Sequence, residues 1–324
     1  MSESGTVRPP VYLRDLAYVL GEARAVCDLV IPNREETIRE LTLHGLDRFR
    51  SSGSSAGDMA VRSLEQTLSA WGGHPRDIDA LIYCSNAFTL DDATMLSRFI
   101  AANDLDKASV MTLGFGGCAN LLPAMQLARA LIRGGEAEHV AIVTADRASG
   151  DVDRVALMDL GILSDGAASC VMSAYPSETA GFELLGLGLR SSNRLRGDMP
   201  RARAFTARVQ GVRGAATDAL DEAGLTAATI GGVLMANIRR DLQLFFAKQC
   251  GICSESLFLD SLGPVSHCFS ADPLINLSLF FARFEAATTA SPVLALCLSP
   301  YKWGAFAARP TASAPILDTE GSCP

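Results

Sequence analysis

Residues 110–132 read VMTLGFGGCANLLPAMQLARALI. An apolar strand runs into Gly114, Gly116 and Gly117, then Cys118, then a stretch with the apolar spacing of an amphipathic helix. The glycines permit a tight strand-to-helix turn that a bulkier residue blocks. Such a turn sets Cys118 at a helix N-terminus. Free backbone N–H groups and the helix dipole there favour a thiolate, which is the nucleophilic form of cysteine. Cysteine is also used as a small buried hydrophobe at strand ends. Taken alone, the segment is compatible with both uses.

Working outward, 324 residues accommodate two domains or one two-part domain. Hydrophobic residues make up 48% and charged residues 20%, enough apolar content for a sizeable core. A net charge of −8 argues against nucleic acid or an anionic membrane as the main partner. Nine cysteines without a secretory signal predict a reduced, cytoplasmic protein. The longest apolar runs are too short to span a bilayer. The first ten residues (MSESGTVRPP) and the stretch from Arg309 onward read as mobile tails.

The chain says similar things twice. In the first half, Ile78–Cys84 is a buried strand, followed by a helical stretch to about Asn103, the Cys118 strand, turn and helix, and a strand at His139–Ala145. In the second half, Ala207–Ala223 is helical and Ile230–Ala236 a strand, with a helix through Phe246. Leu257–Leu259 is a short strand, Asp272–Phe284 a helix and Pro292–Leu298 the last buried strand. Helices between strands predict a mostly parallel sheet with helices on its faces. The fold class is therefore α/β, with two related halves, 1–176 and 177–324, facing each other. Functional residues are expected where helix N-termini of the two halves meet.

These features resemble the thiolase-fold condensing-enzyme superfamily, nearest to β-ketoacyl-acyl-carrier-protein synthase III, over nearly the whole chain. Cys118 falls where that family keeps its acylated cysteine. Ser164–Ser169 (SDGAAS) resembles its GDGAGA loop, Ala236–Asn237 the end of its HQAN motif, Gly263 the glycine of its GN motif, and Trp303–Gly304 its WG pair. Glu36–Arg50 resembles its substrate-entrance segment. The resemblance implies a duplicated thiolase-like fold packed as a layered αβαβα sandwich. It also implies an acyl donor presented as a coenzyme A or phosphopantetheinyl-carrier thioester, no further cofactor and no metal, and a homodimer paired through a first-half edge strand. Asn86–Met95 is expected near that interface.

The departures point elsewhere. Leu234 stands where HQAN has its histidine, and Pro264 where GN has its asparagine. In the family those two side chains hold the thioester oxygen of a malonyl group during decarboxylation. Leucine has no side-chain donor and proline lacks even the backbone N–H, whereas developing enolate charge needs preorganised donors.

Another set is present. Ser266–Leu277 reads SHCFSADPLINL, with His267 and Asp272 at the turn before the second-half helix that mirrors Cys118. Of four histidines, His74 and His139 fall in loops or strand edges and His44 in the entrance segment, so His267 is the candidate base. The pattern resembles the acyltransferase branch of the synthase III family, in antibiotic and polyketide pathways, where a Cys–His–Asp set moves an acyl group without decarboxylation. Cys118 would be acylated by an acyl carrier protein or acyl-CoA thioester, and His267 would activate a small-molecule hydroxyl or amine acceptor. Asp272 would orient His267. Asp272 before Pro273 also reads as a helix N-cap.

By family analogy the oxyanion donors come from Cys118 and the loop at Ser299, with Asn237 in a secondary role. Cys250 and Cys253 read as a helix end, Cys268 as core or pocket wall, and Asp165 and Gly166 as structural. A decarboxylating variant that uses His267, and a non-catalytic partner subunit, remain alternatives.

Overall fold

The computed structural model describes residues 9–155, 160–177, 181–283 and 291–311. In the first half the strands are β1 (Tyr12–Leu20), β2 (Glu22–Ala25), β3 (Arg48–Ser51), β4 (Ala80–Cys84), β5 (Ser109–Leu113), β6 (His139–Asp146) and β7 (Gly166–Ser173). The helices among them are α1 (Arg34–Leu43), α2 (Ala56–Trp71), α3 (Leu90–Ala102), α4 (Leu121–Gly134) and the single turn α5 (Asp151–Arg154). The second half has strands β8 (Gly181–Ser191), β9 (Gly232–Met235), β10 (Val293–Leu298) and β11 (Lys302–Pro310). Its helices are α6 (Arg201–Ala223), α7 (Arg240–Gln249), α8 (Leu262–Val265) and α9 (Asp272–Arg283).

The main sheet runs β5-β4-β6-β7-β1-β8-β11-β10-β9, and β2 pairs separately with β3. Its two ends repeat one pattern. β4 is parallel to β6, β6 antiparallel to β7, and β7 antiparallel to β1. In the same way β9 is parallel to β10, β10 antiparallel to β11, and β11 antiparallel to β8. The repeats join through a short β1–β8 contact, Tyr12–Arg14 against Gly181–Glu183.

The apolar runs of β4, β6, β7 and β10 are buried along almost their whole length, as strands covered on both faces must be. Leu121, Leu122 and Met125 of α4 and Leu274, Ile275 and Leu277 of α9 share one core with Ile82, Ile142, Leu234, Ala295 and Phe306. Met59 and Leu64 of α2 and Phe99 of α3 cover the other side of the first repeat. Val212 and Ala219 of α6 and Phe246 of α7 do the same for the second. This is the expected αβαβα layering, with α4 and α9 as its middle layer.

Local sequence explains the outer helices. Ser55 and Asp58 cap α2 reciprocally, Oγ accepting from the Asp58 N–H at 3.0 Å and the carboxylate from the Ser55 N–H at 3.1 Å. Thr89 and Asp92 do the same for α3, and Asp92 also accepts from the Gly57 N–H at 2.7 Å, tying α3 to α2.

Three expectations need correction. The segment at Leu257 reduces to a single parallel bridge to Val233, in the place that β5 holds in the first repeat. Arg309 and Pro310 belong to β11, because their backbone pairs with Glu183 and Phe182, and the Thr311 N–H donates to the Gly181 carbonyl; residues 312–324, the first eight residues and Phe284 lie outside the described residues. The main sheet is mixed rather than mostly parallel, with five of its eight strand pairings antiparallel, because each repeat adds antiparallel strands beyond its parallel ones; strand β5 is its exposed edge. Among the described residues no helix is long and apolar enough to cross a membrane.

One close approach is decisive for the second repeat. A Cβ on Gly211 of α6 would lie 1.9 Å from Trp303 Cε3 in β11. We therefore expect Gly211→Ala to cost about 1–3 kcal/mol through overpacking. Urea unfolding checks this, and an unchanged midpoint would contradict the packing described.

Candidate active site

Strand β5 delivers the chain to a single 3₁₀ turn, Gly117–Ala119, and α4 follows. The turn is closed by the N–H groups of Ala119, to the Gly116 carbonyl, and Asn120, to the Gly117 carbonyl. Asn120 locks the approach: its Oδ1 accepts from the Gly116 N–H at 2.7 Å and its Nδ2 donates to the Ser85 carbonyl at 3.2 Å. Gly117 has φ +60°, and a Cβ there would sit 3.0 Å from the Ser299 Cβ, so glycine is required. Cys118 itself is buried among Ala148, Leu163 and Phe269.

The second half repeats the device. A 3₁₀ turn, Phe269–Ala271, leads into α9, and His267 stands just before it. His267 is clamped to the first half through its backbone: its N–H donates to the Ile162 carbonyl at 3.1 Å, and its carbonyl accepts from the Ser164 N–H at 2.8 Å. Ser266 has φ 57° and ψ −165° and Phe269 has φ 49°, conformations that non-glycine residues rarely adopt. The Ser266 hydroxyl donates to the Arg48 carbonyl at 2.6 Å and so holds that backbone in place.

Asp272 is fully buried and organises the cluster. Its Oδ2 lies 2.6 Å from His267 Nδ1 and accepts from the Asn237 N–H at 2.7 Å. Its Oδ1 accepts from the Cys268 N–H at 2.7 Å. With Nδ1 engaged, Nε2 is the ring nitrogen left for the neighbouring Cys118 side chain. Burial alone disfavours a charged His267, but attraction to Cys118 and Asp272 outweighs it, and the imidazole is held well above its ordinary range. Burial pushes the thiols of Cys268 and Cys297 well up, so both stay neutral beside the site.

The structure thus brings Cys118, His267 and Asp272 together. It moves the other expected residues to different work. Asp272 has helical angles (φ −45°, ψ −47°), and its carboxylate faces Asn237, Cys268 and His267, so the N-cap reading is replaced by an orienting one. The Ser299 N–H donates to the Lys302 carbonyl at 2.9 Å, which closes the β10–β11 hairpin and removes it as an oxyanion donor. Asn237 is spent internally: Nδ2 donates to the Ser266 carbonyl at 3.1 Å, and Oδ1 accepts from Ser261 and Asn276. It positions Asp272 and does not face the cavity. Leu234 is buried in the core, as a residue without a donor should be. Pro264 is exposed on α8, with its carbonyl bound to Arg50 Nε at 2.8 Å, so the residue confronting Cys118 from this segment is His267. Asp165 is structural, paired with Arg154 at 2.7 Å and buried. The other histidines have separate partners: His44 with Asp241, His74 with the Arg76 N–H, and His139 with Ser173.

Sequence reasoning missed Asn120, Asn276, Ser261 and Asp146. Asp146 ends β6, is buried, and accepts from the Asn86 N–H at 2.6 Å and the Ser85 hydroxyl at 3.1 Å. Burial pushes its carboxyl up to about 7. No local motif marks these residues; apart from the Gly116 N–H that Asn120 accepts from, their partners come from distant segments.

A cavity of about 500 Å³ opens at Cys118, lined by Asn86, Phe88, Phe115, Gly117, Phe269 and Tyr301 among others. The duplicated αβαβα fold is thiolase-like, and it brings a buried cysteine and a histidine from mirrored helix starts together at this cavity.

Comparison with known proteins agrees. The family of 3-oxoacyl-[acyl-carrier-protein (ACP)] synthase III matches residues 94–193. The β-ketoacyl-[acyl-carrier-protein] synthase III of Cereibacter sphaeroides is 29% identical over 259 residues, 69% of this chain and 78% of that protein. The mycobacterial synthase III of Mycobacterium tuberculosis is 28% identical over 158 residues, 47% of this chain and 45% of the relative. Among solved structures, ChlB3, titled an acyltransferase, has a TM-score of 0.78 at 18% identity, covering 94% of this chain and 99% of its own. The synthase III of Aquifex aeolicus has a TM-score of 0.75 at 16% identity, covering 92% and 99%. The chain has the thiolase-like fold of these structures and is similar in sequence to β-ketoacyl synthase III proteins.

The raised imidazole has a pH signature. A histidine held above its ordinary value of 6.5 contributes stability that is fully present below that pH and is lost as pH rises through the folded-state value. The difference in unfolding free energy between the native chain and His267→Gln is therefore expected to shrink as pH increases above about 6.5. Denaturant titrations across pH measure it, and a difference that widens with pH would contradict the assignment.

Proposed function

We propose that the protein is an acyltransferase that carries an acyl group on Cys118 and passes it to a hydroxyl or amine of a small-molecule acceptor, in specialised metabolism. The observation that carries this reading is the Asp272–His267 couple directed at Cys118, together with Leu234 where a decarboxylating enzyme keeps a donor. The Cys118 sulfur attacks the carbonyl carbon of an acyl-CoA or acyl-carrier thioester. The Cys118 N–H stabilises the oxyanion. The donor thiol departs with the proton held by His267, leaving the acyl group on Cys118.

Acylation ends the interaction with Cys118 that helps to keep His267 charged. The neutral imidazole then takes the acceptor proton as the acceptor oxygen or nitrogen attacks the thioester, and the Cys118 thiolate leaves. ChlB3 is consistent with such a reaction on this fold. The names of the curated relatives favour a second reading, a decarboxylating condensation. Free thiols at all eight cysteines described support a reducing, cytoplasmic setting.

Intact-mass spectrometry with a panel of acyl thioesters tests the nucleophile: the adduct is expected on Cys118 and absent from Cys118→Ala. His267→Ala should retain part of the acylation and lose transfer by about 10²–10⁴, as for a missing general base. Labelled malonyl thioester should release no carbon dioxide coupled to product. Stoichiometric release with a β-keto product favours the condensing reading, and no adduct on Cys118 with any donor favours a non-catalytic subunit.

We also propose a homodimer built on β5. That strand is a sheet edge, and Val110, Phe115, Phe88 and Leu90 around it are exposed. Light scattering at micromolar concentration should give twice the chain mass, and a monomer would refute the dimer.

A further inference from the structure

Two cations stand beside the aromatic rim of the Cys118 cavity, and among the described residues neither pairs with a carboxylate. Arg196 ends a short 3₁₀ turn, Asn193–Arg196. Its guanidinium lies 3.6 Å from the centroid of the Tyr301 ring and 5.8 Å from that of Phe115, and it donates to the Phe115 carbonyl. Both rings line the cavity. The bonds of Arg196 engage Nη2 and Nε.

Lys302 is the next residue after Tyr301 and opens β11. Strand alternation fixes its direction. Trp303 faces α6, where Gly211 abuts it, whereas a Cβ on Gly304 would strike Leu122 of α4. Lys302 shares the Gly304 face and is directed toward the layer that holds the Cys118 turn. Burial lowers the Lys302 ammonium, and the nearby Arg196 lowers it further. Among the described residues, Arg129, Arg154, Arg190 and Arg239 each meet a carboxylate, but no ion pair forms at Arg196 or Lys302. Arg196 is exposed and Lys302 half-buried; the two neighbouring cations repel each other, and an anion placed between them offsets that repulsion. The surrounding sequence strengthens the field: residues 190–213 hold seven arginines and one aspartate in a chain of net charge −8.

We propose that Arg196 and Lys302 form an anion subsite that holds a carboxylate or phosphate of the acceptor while the acyl group leaves Cys118. The proposal rests on the acyltransferase reading and narrows its acceptor to an anionic molecule. Position selects the acceptor over the donor. A Cβ on Gly117, the residue before the nucleophile, would lie 3.5 Å from the Tyr301 hydroxyl, and Arg196 packs on that same ring. An anion held there is one aromatic ring from the nucleophile's turn. The phosphate of a pantetheinyl donor lies a whole arm's length from its thioester.

Alkylation of Cys118 tests the subsite without any acyl transfer. Peptide mapping gives the rates of Cys118 modification by iodoacetate, which is anionic, and by iodoacetamide, which is neutral. The ratio of the two rates should fall about tenfold in the Arg196→Met, Lys302→Met double variant. The iodoacetamide rate serves as the control for an intact fold and thiol. An unchanged ratio overturns the subsite.

The source of the anion is read in the native protein, from the effect of inorganic phosphate on Cys118 acylation by acyl-CoA and by acyl-pantetheine, which has no phosphate. Equal effects on the two donors are expected. Selective slowing with acyl-CoA assigns the cations to the donor and overturns the proposal. If neither donor acylates Cys118, the acyltransferase reading fails, while the alkylation ratio still decides the anion subsite.

Discussion

The carboxylate of Asp272, fully buried, accepts from the backbone of Asn237 and of Cys268 and meets His267 Nδ1. The remaining geometry of the site depends on this interaction. A buried carboxylate without partners is costly, and removing one member of such a pair typically costs about 3–5 kcal/mol. The same bonds fix the end of β9, the start of α9 and the His267 ring together. Asn237, Ser261 and Asn276 complete the lock by satisfying one another. The ring orientation that presents Nε2 to Cys118 is thus a consequence of satisfying a buried charge.

Duplication supplies the rest. The two repeats have the same strand order, and each places a 3₁₀ turn before a central helix. In one repeat the turn carries Cys118, and in the other His267 stands just before the turn. Positive φ at Phe115, Gly117, Ser266 and Phe269 puts unusual backbone at both turns, where tight packing over-determines it. The His267 backbone pairs with residues 162 and 164 of the first repeat, so relative placement of base and nucleophile is set by main-chain bonds rather than by flexible side chains.

Much of this was legible in the sequence. Three glycines before Cys118 require a turn, and the four histidines leave one, His267, beside an acidic residue at a mirrored helix start. What failed were inferences drawn from short motif spacing. Pro264 follows Gly263 as the family asparagine does, yet it lies on the surface while the chain turns inward three residues later at His267. Ser299 stands where a backbone donor was expected, but its N–H is consumed by the hairpin that β11 makes, a strand that follows the one read as the last, Pro292–Leu298. Asn120, Asn276 and Asp146 have no sequence signal, since each acquires its role from partners on other elements.

The central claim is that His267 and Asp272 act as one unit on an acyl group carried by Cys118. The direct measurement is a double-mutant cycle on the transfer step from preformed acyl-Cys118, comparing His267→Ala, Asp272→Asn and the combined variant. If Asp272 works through His267, the combined variant should be about as slow as His267→Ala alone, because residues of one catalytic unit are strongly non-additive. Losses that multiply would show two independent roles and contradict the account.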